Sequence, residues 1–216
     1  MKFFIDSADV DQIRTAANVG IIDGVTTNPS LIMKSGRNFE EVVKEITSIV
    51  DGPISAEVTA MDYETMLKQA KPLIKIHKNI TIKVPMTEDG IRACKTLTDQ
   101  GVKVNVTLVF HVNQALLAAK AGATFVSPFA GRLDDEGQDG MKVIEDMAKM
   151  FNNYDFDTQI LAASIRNTEH LYRAAMAGAH VATMPPDVFH KLFKHHLTDK
   201  GLDQFAADWK EAEKNQ

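Results

Sequence analysis

A closed parallel (β/α)8 barrel with an extra C-terminal helix is the fold class that this 216-residue sequence predicts. Short apolar segments alternate with longer amphipathic ones, which is typical of repeated βα units. Eight such units average about 27 residues each, which is short but sufficient for a barrel. No linker rich in Pro, Gly or Ser divides the chain. We therefore expect one barrel domain over residues 1–216, of which about 199–216 form a helical extension.

The eight predicted strands are short apolar stretches between turn-forming residues. In chain order they cover residues 3–6, 24–27, 54–58, 80–84, 102–109, 124–129, 159–164 and 180–184. The gaps between them have helical spacing; one helix is expected after an N-cap at Asn38, with its apolar face formed by Phe39, Val42, Val43, Ile46 and Ile49. Left-handed helix ends are expected at Gly20, Gly101, Gly122 and Gly178.

The end of the chain contains more helix than a minimal barrel requires. Residues 187–195 already supply an eighth helix, and an amphipathic stretch with Leu202, Phe205 and Trp209 follows it. We expect this surplus segment to cover either the barrel or a neighbouring subunit.

Polar residues at the ends of the predicted strands favour a closed barrel over the alternative, an open doubly wound sheet. In a closed barrel these ends converge on one mouth, whereas an open sheet spreads them along an edge. The alternation along one strand agrees, because Thr81 and Lys83 share one face while Ile82 and Val84 share the other. The residues at strand ends are Asp6, Asn28, Glu57, Lys83, Thr107, Ser164 and the turn 129–132.

The composition excludes several classes of protein. Lys and Arg number 24 against 29 Asp and Glu, giving a net charge of −5, which argues against nucleic-acid binding through counterion release. No apolar run reaches the length of a membrane span, and the first residues lack a signal peptide pattern. The single cysteine, Cys94, cannot form an internal disulfide, so a cytoplasmic location is expected.

Motifs for nucleotide, dinucleotide, zinc-protease and serine-hydrolase chemistry are absent from the sequence, and we predict no cofactor. The nearest candidate for a metal site is the group His190, His195 and His196. These histidines are five and six residues apart, a spacing that does not bring them to one helix face. We therefore predict no metal site.

Lys83 and two carboxylates are the candidates for acid–base and nucleophilic chemistry. A lysine facing the barrel interior is desolvated, which favours the neutral amine that attacks carbonyl carbon. Asp6 and Glu57 occupy matching strand ends, where one can exchange a proton with a substrate hydroxyl and the other can act through a water. Thr107 can donate or relay a proton. The alternatives are that Lys83 faces outward, or that it forms a structural ion pair with a carboxylate.

A second group of residues suits a phosphorylated polyol. The guanidinium groups of Arg132 and Arg166 and the hydroxyl of Ser164 match a phosphate, although Arg132 can instead pair with Asp134 or Asp135. The amides of Asn28 and Asn105 can bind sugar hydroxyls or satisfy loop backbone groups.

Six ordered motifs resemble the transaldolase family, and specifically its short single-domain subfamily, which includes fructose-6-phosphate aldolase. The likeness covers essentially the whole chain. The motifs are Phe-Ile-Asp-Ser-Ala from position 4, Gly-Val-Thr-Thr-Asn-Pro-Ser from 24, Ile-Lys-Val-Pro-Met-Thr from 82, Asn-Val-Thr-Leu-Val-Phe from 105, Ser-Pro-Phe-Ala-Gly-Arg from 127 and Leu-Ala-Ala-Ser-Ile-Arg from 161.

The resemblance implies a role for each candidate. It implies a Schiff base between Lys83 and the ketose C2, proton removal from the C4 hydroxyl by Asp6, and a water held near Glu57 and Thr107. It further implies that the substrate is bound by Asn28, Asn105, Ser127, Phe129, Arg132, Ser164 and Arg166.

Two positions separate the subfamilies by resemblance: the aldolase type has Gln in place of Glu57 and Tyr in place of Phe129. The sequence looks like a transaldolase of the non-oxidative pentose phosphate pathway. The expected reaction moves a dihydroxyacetone unit from sedoheptulose 7-phosphate or fructose 6-phosphate to erythrose 4-phosphate or glyceraldehyde 3-phosphate. The alternatives are fructose-6-phosphate aldolase and a non-catalytic phosphosugar-binding barrel. Relatives also imply a homopentamer or homodecamer joined through C-terminal helices.

Overall fold

Eight parallel strands form a closed barrel in a computed structural model that describes residues 1–214. Each strand pairs with the next along the chain, and the last strand pairs with the first. The predicted fold class is therefore confirmed. The strands are β1 Lys2–Asp6, β2 Gly24–Thr26, β3 Ile54–Glu57, β4 Ile80–Pro85, β5 Val104–Val109, β6 Phe125–Pro128, β7 Gln159–Ala162 and β8 Val181–Met184.

Helices connect every pair of consecutive strands and surround the barrel. The predicted N-cap at Asn38 is confirmed, since its side chain accepts hydrogen bonds from the backbone N–H groups of Glu40 and Glu41. The helices are α1 Val10–Ala17, α2 Pro29–Ser35, α3 Phe39–Ile49, α4 Tyr63–Ile74, α5 Glu88–Asp99, α6 Val112–Lys120, α7 Ala130–Asp135, α8 Gly140–Tyr154, α9 Thr168–Ala177, α10 Pro186–Lys191 and α11 His196–Lys214.

The barrel has two apolar cores. The outer core lies between strands and helices and contains the outward strand residues Ile82 and Val84. The inner core fills the barrel itself, where the rings of Phe4 and Phe125 meet edge to face with centroids 5.9 Å apart. Because inward side chains recur every two residues, polar residues follow this inner core toward the strand ends. The inner core consists of Phe4, Phe125, Leu161, Ala163 and Val181.

Several predicted boundaries are wrong by a few residues near the mouth of the barrel. Strand β7 ends at Ala162 because Ser164 adopts a left-handed backbone, with φ of 58°, which an extended strand cannot contain. Strand β6 ends at Pro128, and Phe129 makes only an isolated bridge to Ala163. The predicted turn over 129–132 is the start of the short helix α7.

The last two helices also differ from the prediction. The helix expected over 187–195 is α10, which ends at Lys191, and the extension expected from about 199 begins as α11 at His196. The earlier start has a physical cause, since the His195 ring accepts a hydrogen bond from the backbone N–H of Leu197 and so caps the new helix. Residues 215–216 of the expected extension lie outside the described residues, and the single-domain boundary stays a prediction.

Helix α11 does not cover the barrel. No residue of its span is buried, and three of its large apolar side chains, Leu202, Phe205 and Trp209, are 62%, 72% and 66% exposed. Of the two expectations for this segment, covering its own barrel is therefore wrong. Within residues 1–214, no helix is long and apolar enough to cross a membrane.

Candidate active site

A cavity of about 200 Å³ lies at the C-terminal ends of the strands. Every predicted site residue lines it except Glu57, Asn105 and Thr107. Glu57 contacts Lys83, and Asn105 is hydrogen-bonded to Ser127, so both touch residues of the cavity wall. The lining residues are Asp6, Thr26, Asn28, Lys83, Ser127, Phe129, Arg132, Leu161, Ala163, Ser164, Arg166 and Thr183. Closure of the barrel thus brings residues from distant parts of the chain into one site.

Lys83 lies on β4 with its side chain 6% exposed. Its Nζ is 2.9 Å from Glu57 Oε2 and donates a hydrogen bond of 3.2 Å to the carbonyl oxygen of Thr27. Residue pairing between β3 and β4 sets this contact, because Glu57 stands directly opposite Lys83. The ion pair considered from the sequence is therefore present, and the amine still faces the cavity.

Asp6 ends β1 and lines the same cavity as Lys83. Thr26 donates a 2.7 Å hydrogen bond to Asp6 Oδ1. Burial raises the pKa of the Asp6 carboxyl above its ordinary value, while the positive charge of Lys83 and the Thr26 hydrogen bond act in the opposite direction. A carboxyl group with a raised pKa holds a proton more readily than an ordinary one, which suits it to exchanging protons with a substrate.

Asn105 and Thr107 are fully buried on β5. The Asn105 amide donates to Ser55 Oγ at 3.2 Å and accepts from Ser127 Oγ at 2.7 Å, so part of its hydrogen-bonding capacity is already used. The Thr107 hydroxyl makes no hydrogen bond with any described residue. It therefore retains its hydrogen-bonding capacity for a bound molecule. Around Thr107, β5 shifts register between Val106 and Val109, and Leu108 has φ of 60°, a local distortion of the strand.

The Asn28 side chain has a structural task as well as a place in the cavity wall. Its Oδ1 accepts a 3.0 Å hydrogen bond from the backbone N–H of Leu31 and caps α2. Asn28 therefore satisfies a backbone group, which was the alternative to sugar binding considered from the sequence. Its amide NH2 group remains as a donor on the cavity side.

The side chains predicted to bind the phosphate lie together on one side of the mouth. Arg166 Nη2 lies 2.6 Å from Asp135 Oδ2, and its Nε donates a long 3.5 Å hydrogen bond to Ser164 Oγ. The Arg132 guanidinium stacks over the Phe129 ring at 4.9 Å from the centroid. The salt bridges considered for Arg132 are not formed within residues 1–214; Asp135 pairs with Arg166, and Asp134 lies 3.0 Å from His170 Nε2.

Gly131 permits the close packing of α7, which carries Arg132, against the segment that carries Ser164 and Arg166. A Cβ atom at this position would lie 2.2 Å from the carbonyl oxygen of Ser164 and 2.7 Å from Cγ of Arg166. The Gly131 N–H also donates a 3.1 Å hydrogen bond to that same carbonyl. Only glycine leaves room for α7 to approach the left-handed residue Ser164 so closely.

Two polar residues of the cavity wall, Thr26 and Thr183, are not among the site residues predicted from the sequence. The signal was available, because each shares the inward face of its strand with a core or site residue: Thr26 with Asn28, and Thr183 with Val181. A threonine in a strand usually has only a packing role, so the residue type alone does not predict a role in the site. In the described part of the chain, no group of His, Cys, Asp and Glu side chains is arranged to hold a metal ion.

Fold and site together describe a (β/α)8 barrel whose mouth combines a buried amine, two carboxyl groups and two arginines. Barrel enzymes carry their active sites at this end of the strands. The family model described as Transaldolase/Fructose-6-phosphate aldolase matches residues 3–216. The chain belongs to this family, which confirms the resemblance seen in its motifs.

Relatives of nearly equal length support this assignment. A protein of Chelativorans sp. (strain BNC1), named "Probable transaldolase", is 62% identical over 209 residues, 97% of this chain and 96% of the relative. Proteins of the same name from Geobacter metallireducens and Thermoanaerobacter sp. (strain X514) are each 59% identical. The Geobacter match covers 99% of this chain and 100% of the relative, and the Thermoanaerobacter match covers 98% of both.

Proposed function

We propose that the protein is a transaldolase that works through a Schiff base on Lys83. It transfers a dihydroxyacetone unit from fructose 6-phosphate or sedoheptulose 7-phosphate to an aldose phosphate. The observation that carries this proposal is the buried Lys83 amine, 2.9 Å from Glu57, in a cavity that also holds Asp6 and Arg166. The relatives named "Probable transaldolase" support transfer rather than cleavage alone.

Covalent chemistry begins when the Lys83 amine adds to C2 of the ketose. Glu57, paired with the lysine ammonium, accepts its proton directly or through a water, which frees the amine lone pair. Loss of water from the carbinolamine gives an iminium ion. The unpaired Thr107 hydroxyl supports a role beside that water.

Carbon–carbon cleavage requires a base for the C4 hydroxyl of the substrate. Asp6 takes this proton, the C3–C4 bond breaks, and its electrons move to the iminium nitrogen to give an enamine. An aldose phosphate leaves, and the enamine attacks the aldehyde of the acceptor. Asp6 then returns its proton to the new hydroxyl, and water releases the product from Lys83. The raised pKa of Asp6 supports both proton transfers.

Substrate binding uses the remaining residues of the site. Arg132, Ser164 and Arg166 hold the phosphate, which displaces Asp135 from the Arg166 guanidinium. The polar groups nearer Lys83 hold the dihydroxyacetone hydroxyls: the free NH2 of Asn28, the amide of Asn105 and the hydroxyl of Ser127.

Release of glyceraldehyde 3-phosphate from fructose 6-phosphate, with and without erythrose 4-phosphate, tests this function. We expect release to require the acceptor and to persist with a metal chelator, because a lysine iminium replaces a metal as electron sink. Rapid release without erythrose 4-phosphate would instead identify a fructose-6-phosphate aldolase. Binding without any turnover would identify a phosphosugar-binding barrel.

A double variant, Glu57→Gln with Phe129→Tyr, is the control for this assay. A tyrosine hydroxyl can protonate the enamine and so release dihydroxyacetone, whereas Phe129 has no proton to give. We expect the folded double variant to cleave fructose 6-phosphate faster without an acceptor. Unchanged cleavage would show that these two positions do not separate transfer from release.

The Gly131→Ala variant tests the phosphate-binding role. The added Cβ must push aside Ser164 or Arg166, so we expect KM for fructose 6-phosphate to rise about 10-fold or more through loss of a charge-assisted hydrogen bond. The matched control is Gly52→Ala, whose Cβ would lie 1.8 Å from the Asp23 carbonyl, far from the arginines. Both variants should lose thermal stability, but a rise in KM for both would contradict a specific role for Gly131.

Assembly through α11 is the remaining proposal. The exposed Phe205 and Trp209 rings support a homopentamer or homodecamer, because large apolar side chains left in water mark an interaction surface. A monomeric mass by light scattering would contradict it. The pathway and the cytoplasmic location stay predictions from the sequence.

A further inference from the structure

Two buried threonines form a hydrogen-bonded chain that ends on Asp6. Thr26 Oγ1 lies 2.7 Å from Asp6 Oδ1 and 2.6 Å from Thr183 Oγ1. Both threonines are only 3% exposed. Strand β1 lies between their strands, with Thr26 paired to Asp6 on one side and Thr183 paired to Phe4 on the other. The pair therefore joins β2 to β8 across the inner face of β1.

The direction of this chain follows from counting protons. Ionised Asp6 can only accept, so Thr26 gives its single hydroxyl proton to Asp6 Oδ1. Thr26 then has no proton left for Thr183, and Thr183 must donate to Thr26. The orientation of the O–H bond in each threonine is thereby fixed. Because Oδ1 already accepts from Thr26, Oδ2 is the carboxylate oxygen with the greater remaining capacity to accept from a substrate hydroxyl.

We propose that Thr26 and Thr183 are positioning residues for the base Asp6: Thr183 orients Thr26, and Thr26 holds Asp6 Oδ1 so that Oδ2 receives the substrate C4 proton. This inference rests on the proposed transaldolase function. The proton itself travels only from the C4 oxygen to Oδ2 and back. The threonines keep their own protons throughout.

The contrast with another buried threonine supports a task beyond packing. Thr158 gives its hydroxyl proton to the carbonyl oxygen of Ala123 at 2.7 Å, the usual structural use of a buried threonine. The two hydrogen bonds of Thr26 Oγ1 go instead to side chains, one of them the carboxyl group of the cavity. Hydrogen bonding from Thr26 also lowers the pKa of Asp6 against the effect of burial.

Other charged groups near Asp6 act on the same carboxyl and must stay unchanged in a test. Lys83, which is paired with Glu57, lowers the pKa of Asp6 from β4. Further ionisable side chains share one of the two cavities that Asp6 lines: Arg132 and Arg166 at the mouth, and Asp11, Asp187 and His190 between α1 and α10. Substitution of the threonines leaves all of these groups in place.

The Thr26→Val variant tests the inference, because valine keeps the shape and removes the hydroxyl. We expect kcat for transfer to fall about 10- to 100-fold, the usual effect of losing a hydrogen bond to a charged group, with little change in KM. The acid limb of the pH profile should move to higher pH, since the Asp6 carboxylate loses a donor. Thr183→Val should act in the same direction by about 2- to 10-fold, and the Thr→Ser variants should restore activity.

Borohydride trapping of Lys83 with fructose 6-phosphate separates this inference from the proposed function. Schiff-base formation does not use Asp6, so Thr26→Val should be trapped as fully as the wild type while it cleaves slowly. Normal kcat and pH profile in a trapped Thr26→Val protein would overturn the positioning role alone. Absence of trapping in the wild type would overturn the proposed function and this inference with it.

Thr158→Val is the matched control for loss of a buried hydroxyl. It should lower stability without moving the pH profile, and a profile shift there equal to that of Thr26→Val would overturn the inference. Should Thr26→Val fail to fold, Thr183→Val against Thr183→Ser gives the same comparison. Equal pH profiles for the folded Thr183→Val and Thr183→Ser variants would overturn the orienting role of Thr183.

Discussion

Replacing Lys83 with methionine is expected to abolish transfer, with turnover falling on the order of 10⁴-fold or more because the covalent step has no substitute nucleophile. Borohydride labelling by fructose 6-phosphate should disappear at the same time, as measured by the mass of the peptide that contains residue 83. Methionine keeps the length and apolar stem of lysine. The loss can therefore be assigned to the amine.

Removal of this amine also leaves Glu57 without its partner in a site where the two side chains are 6% and 15% exposed. Breaking a buried ion pair commonly costs about 3–5 kcal/mol, so the Lys83→Met, Glu57→Gln double variant is the second form of the test. Lys103→Met is the matched control, since Lys103 is exposed and comes just before β5, the strand that pairs with β4. Labelling at Lys103 or Lys75 in the wild type would contradict the assignment.

Asp6→Asn is expected to reduce transfer about 10²- to 10⁴-fold, the usual contribution of a positioned base. Asparagine keeps an oxygen that can accept from Thr26 but cannot take the C4 proton. The Schiff base on Lys83 should still form. A variant that traps substrate but does not cleave it would be the expected result, and normal cleavage would exclude Asp6 as the base.

The same substitution should stabilise the protein at neutral pH. Burial raises the folded-state pKa of Asp6 above its ordinary value of 3.8, so folding favours the protonated form. The stability that Asp6 contributes is fully present below that ordinary pKa and is lost as the pH rises through the raised one. The advantage of asparagine in Tm should therefore grow as the pH rises above 3.8, the ordinary pKa of the carboxyl. A lower Tm for Asp6→Asn at neutral pH would show that attraction to Lys83 outweighs burial.

The Asp139→Asn variant should change Tm in the opposite direction in the same experiment. Hydrogen bonds from Arg173 lower the pKa of Asp139, so its contribution to stability is present at neutral pH and is lost as the pH falls through the lowered value. Tm should drop at neutral pH in this variant, and the difference should vanish in acid. Parallel trends for the two variants would indicate a general charge effect rather than burial of Asp6.

Much of the fold follows from local rules that act within single strands. The alternation of Thr81 and Lys83 with Ile82 and Val84 requires one polar and one apolar face, and the structure has both. Convergence of Asp6, Lys83 and Ser164 follows because parallel strands in a closed barrel end at one mouth.

What the sequence did not predict depends on contacts between segments that are far apart in the chain. The Thr26–Thr183 pair forms only because β8 closes onto β1, which joins residues 157 positions apart. The choice of Arg166 rather than Arg132 as the partner of Asp135 depends on the close approach at Gly131. The positive φ of Leu108 and Ser164 is imposed by the packed mouth, since neither residue type favours it.

Assembly through α11, as proposed above, would link the order of the chain's end to protein concentration. Fixing each backbone residue costs about 1–2 kcal/mol of conformational entropy, and this 19-residue helix buries none of its side chains on its own barrel to offset that cost. Its internal pairs, Gln204 with Asp208 and Trp209 with Glu213, contribute only about 0.2–0.5 kcal/mol each. On dilution, the helix is therefore expected to melt while the barrel stays folded, so that association and helix formation are one coupled equilibrium.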